Sequence, residues 1–174
     1  MTISINLITG GARSGKSRYA EGLVTASALP WTYIATAQAF DDEMRARIAA
    51  HRAGRLPGWW TLEAPLALPE TIAQVAVAGH PILVDCLTLW VNNLMLAERS
   101  PEAETERLLA VMRSIKVPIV LVTNEVGMSI VPENPMARAF RDHQGRLNQR
   151  VAALADRVVF MVAGLPMFLK GSAL

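Results

Sequence analysis

Cysteine is almost absent from this chain of 174 residues, in which Cys86 stands alone. A single cysteine excludes an internal disulfide framework and any metal site built from several cysteines. Charged residues are also scarce, at 18%, and the formal net charge is only +2. So small a charge does not indicate a nucleic-acid-binding protein, and we expect no nucleic acid among the partners. Because Cys86 lies in an apolar run, we expect its thiol to be buried and inert.

The chain also lacks an apolar run long enough to span a membrane. The most apolar window, 81–97, is interrupted by Asp85, Asn92 and Asn93, whereas a membrane span needs about 20 predominantly apolar residues. No basic segment precedes an apolar block at the start of the sequence, as a secretory signal would require. Hydrophobic residues make up 52% of the chain, which excludes long disordered stretches. We therefore expect a cytoplasmic protein in which residues 1–174 form one domain.

The most informative stretch is Gly-Gly-Ala-Arg-Ser-Gly-Lys-Ser at residues 10–17. It matches G-x-x-x-x-G-K-[ST], follows an apolar run at 3–8 that predicts a strand, and precedes a predicted helix that ends near residue 27. Glycines let backbone amides turn toward phosphate oxygens, and the helix N-terminus favours negative charge. Lys16 is predicted to reach the β- and γ-phosphates, and Ser17 to hold Mg²⁺. This stretch predicts a site for a nucleoside triphosphate; the alternative is a glycine turn that only joins a strand to a helix.

Apolar strands alternate with helices along the rest of the chain. Strands are predicted at 31–37, 61–63, 81–85, 118–123 and 156–163, and helices at 41–54, 69–78, 88–97, 102–115 and 136–155. Residues 56–60, with Trp59 and Trp60, are predicted to form a loop. Strands that are apolar along their whole length are typical of a parallel sheet covered on both faces. The predicted fold class is α/β, a doubly wound, mostly parallel sheet with its ligand at the carboxyl ends of the strands.

Two carboxylates follow predicted strands. Asp85 ends the apolar run 82–84, the pattern of a Walker-B carboxylate that holds Mg²⁺ opposite Ser17. The alternative for Asp85 is a cap on the following helix. Glu125 follows the 118–123 strand and is a candidate for a catalytic or orienting role. The segment 123–126 does not match the guanine-reading Asn-Lys-x-Asp pattern, so we do not expect a Ras-like switch.

His51 shares its predicted helix with Arg47 and Arg52, and Arg55 follows about one turn further along the chain. Positive neighbours disfavour imidazolium, so the ring is expected to be neutral with a free lone pair at pH 7. The same arginines are suited to clamping phosphate oxygens. His51 is therefore a candidate nucleophile at phosphorus. On the residues alone, a structural histidine at a basic helix end is the favoured alternative.

The helix predicted at 136–155 has a charged side and an apolar side. The charged side, which we expect to be solvated or to face another subunit, carries Arg138, Arg141, Asp142, Arg146 and Arg150. The apolar side, which we expect to be buried, carries Phe140, Leu147, Val151 and Leu154.

Further motifs accompany the phosphate loop in a fixed order. They are Tyr-Ile-Ala-Thr-Ala at 33–37, Asp-Asp-Glu-Met at 41–44, Arg-Ile at 47–48, His-Arg-Ala-Gly-Arg at 51–55, Asn-Glu-Val-Gly-Met at 124–128, Ile-Val-Pro-Glu-Asn at 130–134, and Phe-Arg-Asp at 140–142 with Gly145 and Asn148. Together they resemble the bifunctional adenosylcobinamide kinase/adenosylcobinamide-phosphate guanylyltransferase family of cobalamin synthesis, over nearly the whole chain. Two positions depart from the family pattern: Asp85 stands where some relatives have Glu, and Ser129 replaces a usual Gly.

The resemblance implies a RecA-like P-loop NTPase fold, a homotrimer and two reactions. The first phosphorylates the aminopropanol hydroxyl of adenosylcobinamide with ATP or GTP. The second transfers GMP from GTP to adenosylcobinamide phosphate through a guanylylated histidine, which falls on His51 in this sequence. Its products are adenosylcobinamide-GDP and pyrophosphate.

The resemblance also implies the site residues. His51 and Lys16 are expected to be catalytic, and Ser17 and Asp85 to hold Mg²⁺ as the cofactor. The nucleotide contacts are expected at Gly10, Gly11, Ala12, Arg13, Ser14, Gly15, Lys16, Ser17, Ala35, Thr36, Ala37, Arg52, Ala53, Gly54, Arg55, Glu63 and Asp85. One alternative is a P-loop kinase of another small hydroxyl compound, which needs no histidine nucleophile. The other is a RecA-like motor or nucleotide-gated binding module.

Overall fold

A computed structural model describes residues 4–38, 42, 45, 46, 49 and 53–172 of the protein. Its strands are β1 (Ile5–Gly10), β2 (Trp31–Ala35), β3 (Trp59–Glu63), β4 (Ile82–Asp85), β5 (Ile119–Val122), β6 (Arg157–Val162) and β7 (Leu165–Lys170). Its helices include α1 (Lys16–Thr25), α2 (Leu68–Ala76), α3 (Leu87–Leu96), α4 (Pro101–Ser114) and α5 (Pro135–Leu154). Of the helix predicted at 41–54, the described residues 42, 45, 46, 49 and 53 are helical.

The strands form one seven-stranded sheet in the order β3-β2-β4-β5-β1-β6-β7. The pairs from β3 through β6 are parallel, and β6 and β7 pair antiparallel. Helix α1 packs on one face of this sheet, and the core on the other face includes residues of α2, α3, α4 and α5. The predicted doubly wound, mostly parallel α/β fold is confirmed.

Burial of both sheet faces explains why the strands are apolar along their whole length. In β4, Ile82 and Val84 belong to the core shared with α2 to α5, whereas Leu83 belongs to the core shared with α1. All three side chains have no exposed surface. Successive residues of a strand point to opposite faces, so a strand covered on both sides needs an apolar residue at each position.

Helices α4 and α5 begin at side-chain caps. The Ser100 hydroxyl accepts a hydrogen bond from the Ala103 amide at 3.2 Å, and the Asn134 side chain accepts one from the Met136 amide at 2.8 Å. Helix α1 differs, because Gly15 precedes it and no side-chain cap or acidic residue lies at its first turn. Its first amides are thus left for another acceptor.

Helix α5 has the two sides that its sequence predicted. Leu147 and Val151 are fully buried, and Phe140 and Leu154 pack against the same core. On the charged side, Arg146 lies 3.1 Å from Glu102 of α4, and Arg150 pairs with Glu106 one turn further along α4. These exposed pairs align two neighbouring helices and contribute little to stability individually.

The prediction of a loop at 56–60 is wrong at its carboxyl end, because β3 already begins at Trp59. The Trp59 ring packs against Trp31 at 5.4 Å and against Tyr33 at 5.6 Å between ring centroids. Contacts between aromatic side chains on paired strands stabilise the added strand residues. Trp60 points away from these contacts and is 51% exposed.

Strand β7 is absent from the sequence-based prediction. Ala163 and Gly164, both with positive φ (51° and 82°), form the two-residue turn that folds β7 back on β6. Positive φ at both positions is typical of a type I′ hairpin. Pro166 obscured the strand in the sequence, but an edge strand tolerates proline. None of the helices within the described ranges has the length and apolarity of a membrane span.

Gly10 and Gly11 allow a matched test of how tightly the phosphate loop is packed. A Cβ at Gly10, where φ is +147°, would lie 2.5 Å from the Met161 carbonyl oxygen, whereas a Cβ at Gly11 would meet nothing within 4 Å. Gly10→Ala should therefore lower the free energy of unfolding by about 2–4 kcal/mol. Gly11→Ala should change it by less than about 1 kcal/mol. Urea unfolding followed by circular dichroism measures both, and equal losses would contradict the packing described.

Candidate active site

The phosphate loop joins β1 to α1 and is held by the segments that flank β1 in the sheet. The Glu125 amide donates to the Gly10 carbonyl at 3.1 Å, and the Gly164 amide donates to the Ser14 carbonyl at 3.2 Å. Gly15 adopts a left-handed conformation, with φ +93°, immediately before α1. Both the residues after β5 and the β6–β7 turn thus fix the loop, and a loop of fixed shape can present its amides to an anion without rearranging.

Lys16 lies folded across this loop. Its side chain is almost buried, and Nζ donates to the Gly11 carbonyl at 2.5 Å. Burial lowers the pKa of Lys16, while the neighbouring Cys86 and Asp85 act in the opposite direction. A phosphate oxygen placed here would meet a cation that has already lost most of its water, so the pair would interact strongly.

Ser17, Asp85 and Tyr33 meet at one carboxylate oxygen. The Ser17 hydroxyl donates to Asp85 Oδ2 at 3.4 Å, and the Tyr33 hydroxyl donates to the same atom at 2.6 Å. Strands β2 and β4 are paired with Ala35 opposite Asp85, which places Tyr33 within reach of the carboxylate. Burial, followed by the charge of Asp85, raises the pKa of Tyr33 far above its ordinary value, so its hydroxyl remains a donor.

The hydroxyl of Ser17 and the carboxylate of Asp85 fit Mg²⁺. Both are oxygen ligands, and their oxygens lie within 3.4 Å of each other. In nucleotide sites Mg²⁺ binds one or two protein oxygens and completes its octahedron with phosphates and water. Ser17 and Asp85 would hold the ion beside the loop, as the Walker-B pattern predicts.

A cavity of about 490 Å³ opens beside the loop, a volume that suits a small-molecule ligand. Its walls come from the loop and α1, from β2, from Arg55, and from the residues at the carboxyl ends of β4 and β5. The lining residues are Ala12, Arg13, Ser14, Gly15, Lys16, Ser17, Arg18, Tyr33, Ala35, Ala37, Arg55, Asp85, Cys86, Leu89, Val122 and Asn124.

Some predicted nucleotide residues lie away from this wall. Gly10, Gly11 and Thr36 are not among the lining residues, and neither are the exposed Ala53, Gly54 and Glu63. His51 and Arg52 lie outside the described residues.

Thr36 does not line the cavity but holds the lining residue Cys86. The buried Thr36 hydroxyl donates to the Cys86 carbonyl at 2.7 Å and accepts from the Cys86 amide at 2.9 Å. Burial and the charge of Asp85 raise the pKa of the Cys86 thiol to about 11. The thiol is therefore protonated at neutral pH, as expected of a buried, inert cysteine.

Arg55 is held against the face of Tyr33. Its guanidinium carbon lies 3.3 Å from the ring centroid, Nη1 donates to the Thr61 hydroxyl at 3.4 Å, and Nε lies 4.0 Å from the Glu21 carboxylate. Stacking on an aromatic face and a nearby carboxylate both hold the guanidinium in a position that is nearly buried.

The sequence analysis did not assign six of the lining residues to the site, namely Arg18, Tyr33, Cys86, Leu89, Val122 and Asn124. Tyr33 belongs to the 33–37 motif, and this motif is the feature of the sequence that could have identified it as a site residue. Glu125 is the candidate for a catalytic or orienting role. Its carboxylate accepts a hydrogen bond from the Gly127 amide at 2.6 Å and so orients the turn after β5.

A buried polar network holds Asn124. The Thr123 hydroxyl donates to Asn148 Oδ1 at 2.8 Å and accepts from Gln144 Nε2 at 2.8 Å. Asn148 also donates to the Asn124 carbonyl at 3.1 Å, and the Asn124 amide donates to the Thr88 hydroxyl at 2.7 Å. Helices α3 and α5 thereby fix the residue that follows β5 at the cavity.

Known proteins resemble this chain along almost all of its length. The family described as "Cobinamide kinase / cobinamide phosphate guanyltransferase" matches residues 6–169. The bifunctional adenosylcobalamin biosynthesis protein CobP of Pseudomonas aeruginosa is 51% identical and aligns over 97% of this chain and 99% of its own. The protein CobU of Salmonella typhimurium is 45% identical, and that of Escherichia coli 43%, each over 94% of this chain and 98% of its own.

A solved structure from Pyrococcus horikoshii OT3 shares the fold, with a TM-score of 0.58 over 99% of this chain and 89% of that one, at 10% sequence identity. The resemblance in the sequence motifs is confirmed by the family match, and with it the enzyme class, a kinase and guanylyltransferase of cobalamin biosynthesis. This chain belongs to the cobinamide kinase / cobinamide phosphate guanyltransferase family.

Proposed function

We propose that this chain carries out both activities of its family at the one phosphate loop. The substrates are ATP or GTP with adenosylcobinamide in the first reaction, and GTP with adenosylcobinamide phosphate in the second. The observation that carries the proposal is the convergence of Lys16, Ser17 and Asp85 on a cavity of about 490 Å³. A triphosphate tail needs this combination of a cation, main-chain amides and oxygen ligands for a metal ion.

In the kinase reaction the aminopropanol hydroxyl of adenosylcobinamide attacks the γ-phosphorus. A new oxygen–phosphorus bond forms, the bond to the β-phosphate oxygen breaks, and the hydroxyl proton is lost to solvent or a nearby base. Lys16 and the amides at the start of α1 hold the β- and γ-phosphates while negative charge moves to the leaving diphosphate. Mg²⁺ held by Ser17 and Asp85 would neutralise part of that charge.

In the transferase reaction the neutral imidazole of His51 attacks the α-phosphorus of GTP. A nitrogen–phosphorus bond forms and pyrophosphate leaves, which gives guanylylated His51. A phosphate oxygen of adenosylcobinamide phosphate then attacks the same phosphorus. The nitrogen–phosphorus bond breaks, adenosylcobinamide-GDP is released, and the histidine is regenerated. Arg52 and Arg55 supply positive charge in the segment that carries the nucleophile.

The proposal includes a homotrimer in the cytoplasm. Strand β7 forms one edge of the sheet and exposes Leu165, Met167, Phe168 and Leu169. An exposed apolar edge strand is a feature that proteins usually cover, and a second copy of the chain would cover it.

His51→Ala should abolish guanylyl transfer and leave part of the kinase activity, because the kinase step needs no histidine nucleophile. Protein incubated with α-³²P-GTP should carry an acid-labile, alkali-stable label that disappears in this variant. His143→Ala is the matched control, because His143 lies in α5 beside Glu102 and should leave the label in place. Persistent label in the His51 variant would reject His51 as the nucleophile.

Mass analysis of products from GTP, Mg²⁺ and adenosylcobinamide separates this enzyme from a kinase of another hydroxyl compound.

Lys16→Ala should lower kcat/KM of both reactions by about 100-fold or more, because each reaction needs the same bound triphosphate. Calorimetry should show a parallel loss of GTP affinity. Lys116→Ala removes an exposed lysine after α4 and should leave both measurements unchanged. Full kinase turnover in the Lys16 variant would remove this residue from the mechanism.

A further inference from the structure

Tyr33 lies between two groups of the candidate active site. It is a residue of β2 with only 2% of its surface exposed. Its hydroxyl donates to Asp85 Oδ2 at 2.6 Å, and one face of its ring lies under the Arg55 guanidinium at 3.3 Å. The Trp59 ring approaches Tyr33 at nearly a right angle, 87°, with the centroids 5.6 Å apart. The side chain is thus locked in place while both of its functional contacts line the cavity.

The hydroxyl of Tyr33 restricts the Asp85 carboxylate. Ser17 donates to the same oxygen but at a longer distance, 3.4 Å. The shorter bond from Tyr33 is therefore the stronger restraint of the two on the rotation of the carboxylate. A carboxylate that must meet a metal ion at a set distance benefits from such a restraint, because ligands that are already oriented lose less freedom on binding.

The ring of Tyr33 restricts the segment that ends at Arg55. Arg55 also contacts Thr61 of β3 and Glu21 of α1, so its guanidinium is fixed by three separate elements. Arg55 follows His51 by four residues in the sequence. Four residues of extended chain reach about 14 Å at most, so an anchor at Arg55 limits how far the histidine can lie from the cavity.

We propose that Tyr33 is a positioning residue with two separable roles in this enzyme. Its hydroxyl orients Asp85 and so serves both reactions equally, whereas its ring anchors Arg55 and so serves guanylyl transfer more than the kinase reaction. The second role rests on the proposed function of His51. A tyrosine that only filled the core would give no such division, because its loss would weaken both reactions through stability.

Two substitutions at this position separate the roles. Tyr33→Phe keeps the ring under Arg55 and removes the bond to Asp85. It should lower kcat of both reactions about tenfold and raise the Mg²⁺ concentration needed for half-maximal rate several-fold. Tyr33→Met also removes the ring. Compared with the phenylalanine variant, it should lose less than about threefold in the kinase reaction and about a further tenfold in the rate of His51 labelling by α-³²P-GTP.

Hydrogen–deuterium exchange on the protein without metal or nucleotide gives a readout that does not depend on activity. Amides of residues 53–58 should exchange several-fold faster in Tyr33→Met than in wild type, and at the wild-type rate in Tyr33→Phe.

Tyr19→Phe is the matched control, because Tyr19 is the other tyrosine of the chain and does not line the cavity. It should leave the rates, the Mg²⁺ requirement and the exchange unchanged. If Tyr33→Met does not fold, Arg55→Met removes the same stacking contact by replacing the guanidinium instead of the ring.

Three outcomes would overturn the inference. Wild-type kcat and Mg²⁺ requirement in Tyr33→Phe would reject the role of the hydroxyl. Exchange at 53–58 at the wild-type rate in Tyr33→Met would reject the role of the ring as an anchor for Arg55. Equal effects in Tyr19→Phe would show that both effects of Tyr33 come from general packing. Absence of label on wild-type protein would reject the proposed nucleophile instead, while the kinase and exchange measurements would still decide the role of Tyr33.

Discussion

The close fit of the phosphate-loop backbone beside β6 is the constraint on which the rest of the site depends. At Gly10 there is no room for a side chain, since a Cβ would lie 2.5 Å from the Met161 carbonyl. Hydrogen bonds from Glu125 and Gly164 complete the enclosure. Because the backbone is fixed before any ligand arrives, the amides at the start of α1 and the side chain of Lys16 point to a defined place. A flexible loop would have to be ordered by the nucleotide, at a cost in affinity.

The strand order extends this constraint to the other residues of the candidate site. Strand β5 lies between β1 and β4, so its carboxyl end is next to both the phosphate loop and Asp85. The residues that follow β5 are held by a network centred on Thr123, which bonds Gln144 and Asn148 of α5. A buried network of this kind costs stability when any partner is missing, and it therefore favours one arrangement of its members. The helix on one face of the sheet thus sets the position of a cavity residue, Asn124, at its edge.

Local patterns in the sequence predicted what depends on local structure. The phosphate loop is set by a run of eight residues, and the parallel strands by apolar runs that must be buried on both faces. Strand β7 escaped prediction because its residues are exposed and Pro166 interrupts it, and pairing with β6 decides its conformation. The place of Tyr33 in the site was not predicted for a similar reason. Its contacts with Asp85 and Arg55 follow from the register of β2 with β4 and from the chain that leads into β3, and no spacing along the sequence reports such a register.

Two displacements on one nucleotide need two different lines of attack. A nucleophile at phosphorus approaches opposite the leaving oxygen, so attack at the γ-phosphorus and attack at the α-phosphorus come from different directions. The phosphate loop holds the triphosphate for both, but it can supply neither nucleophile. The acceptor hydroxyl arrives with the substrate, and in the proposed mechanism the histidine, His51, comes from a segment outside the loop. In this chain that segment runs between β2 and β3, and Arg55 at its end is held by Tyr33 of one strand and Thr61 of the other. Under the proposed mechanism, the second activity therefore depends on how firmly this pair of strands holds the segment between them, which the phosphate loop does not determine.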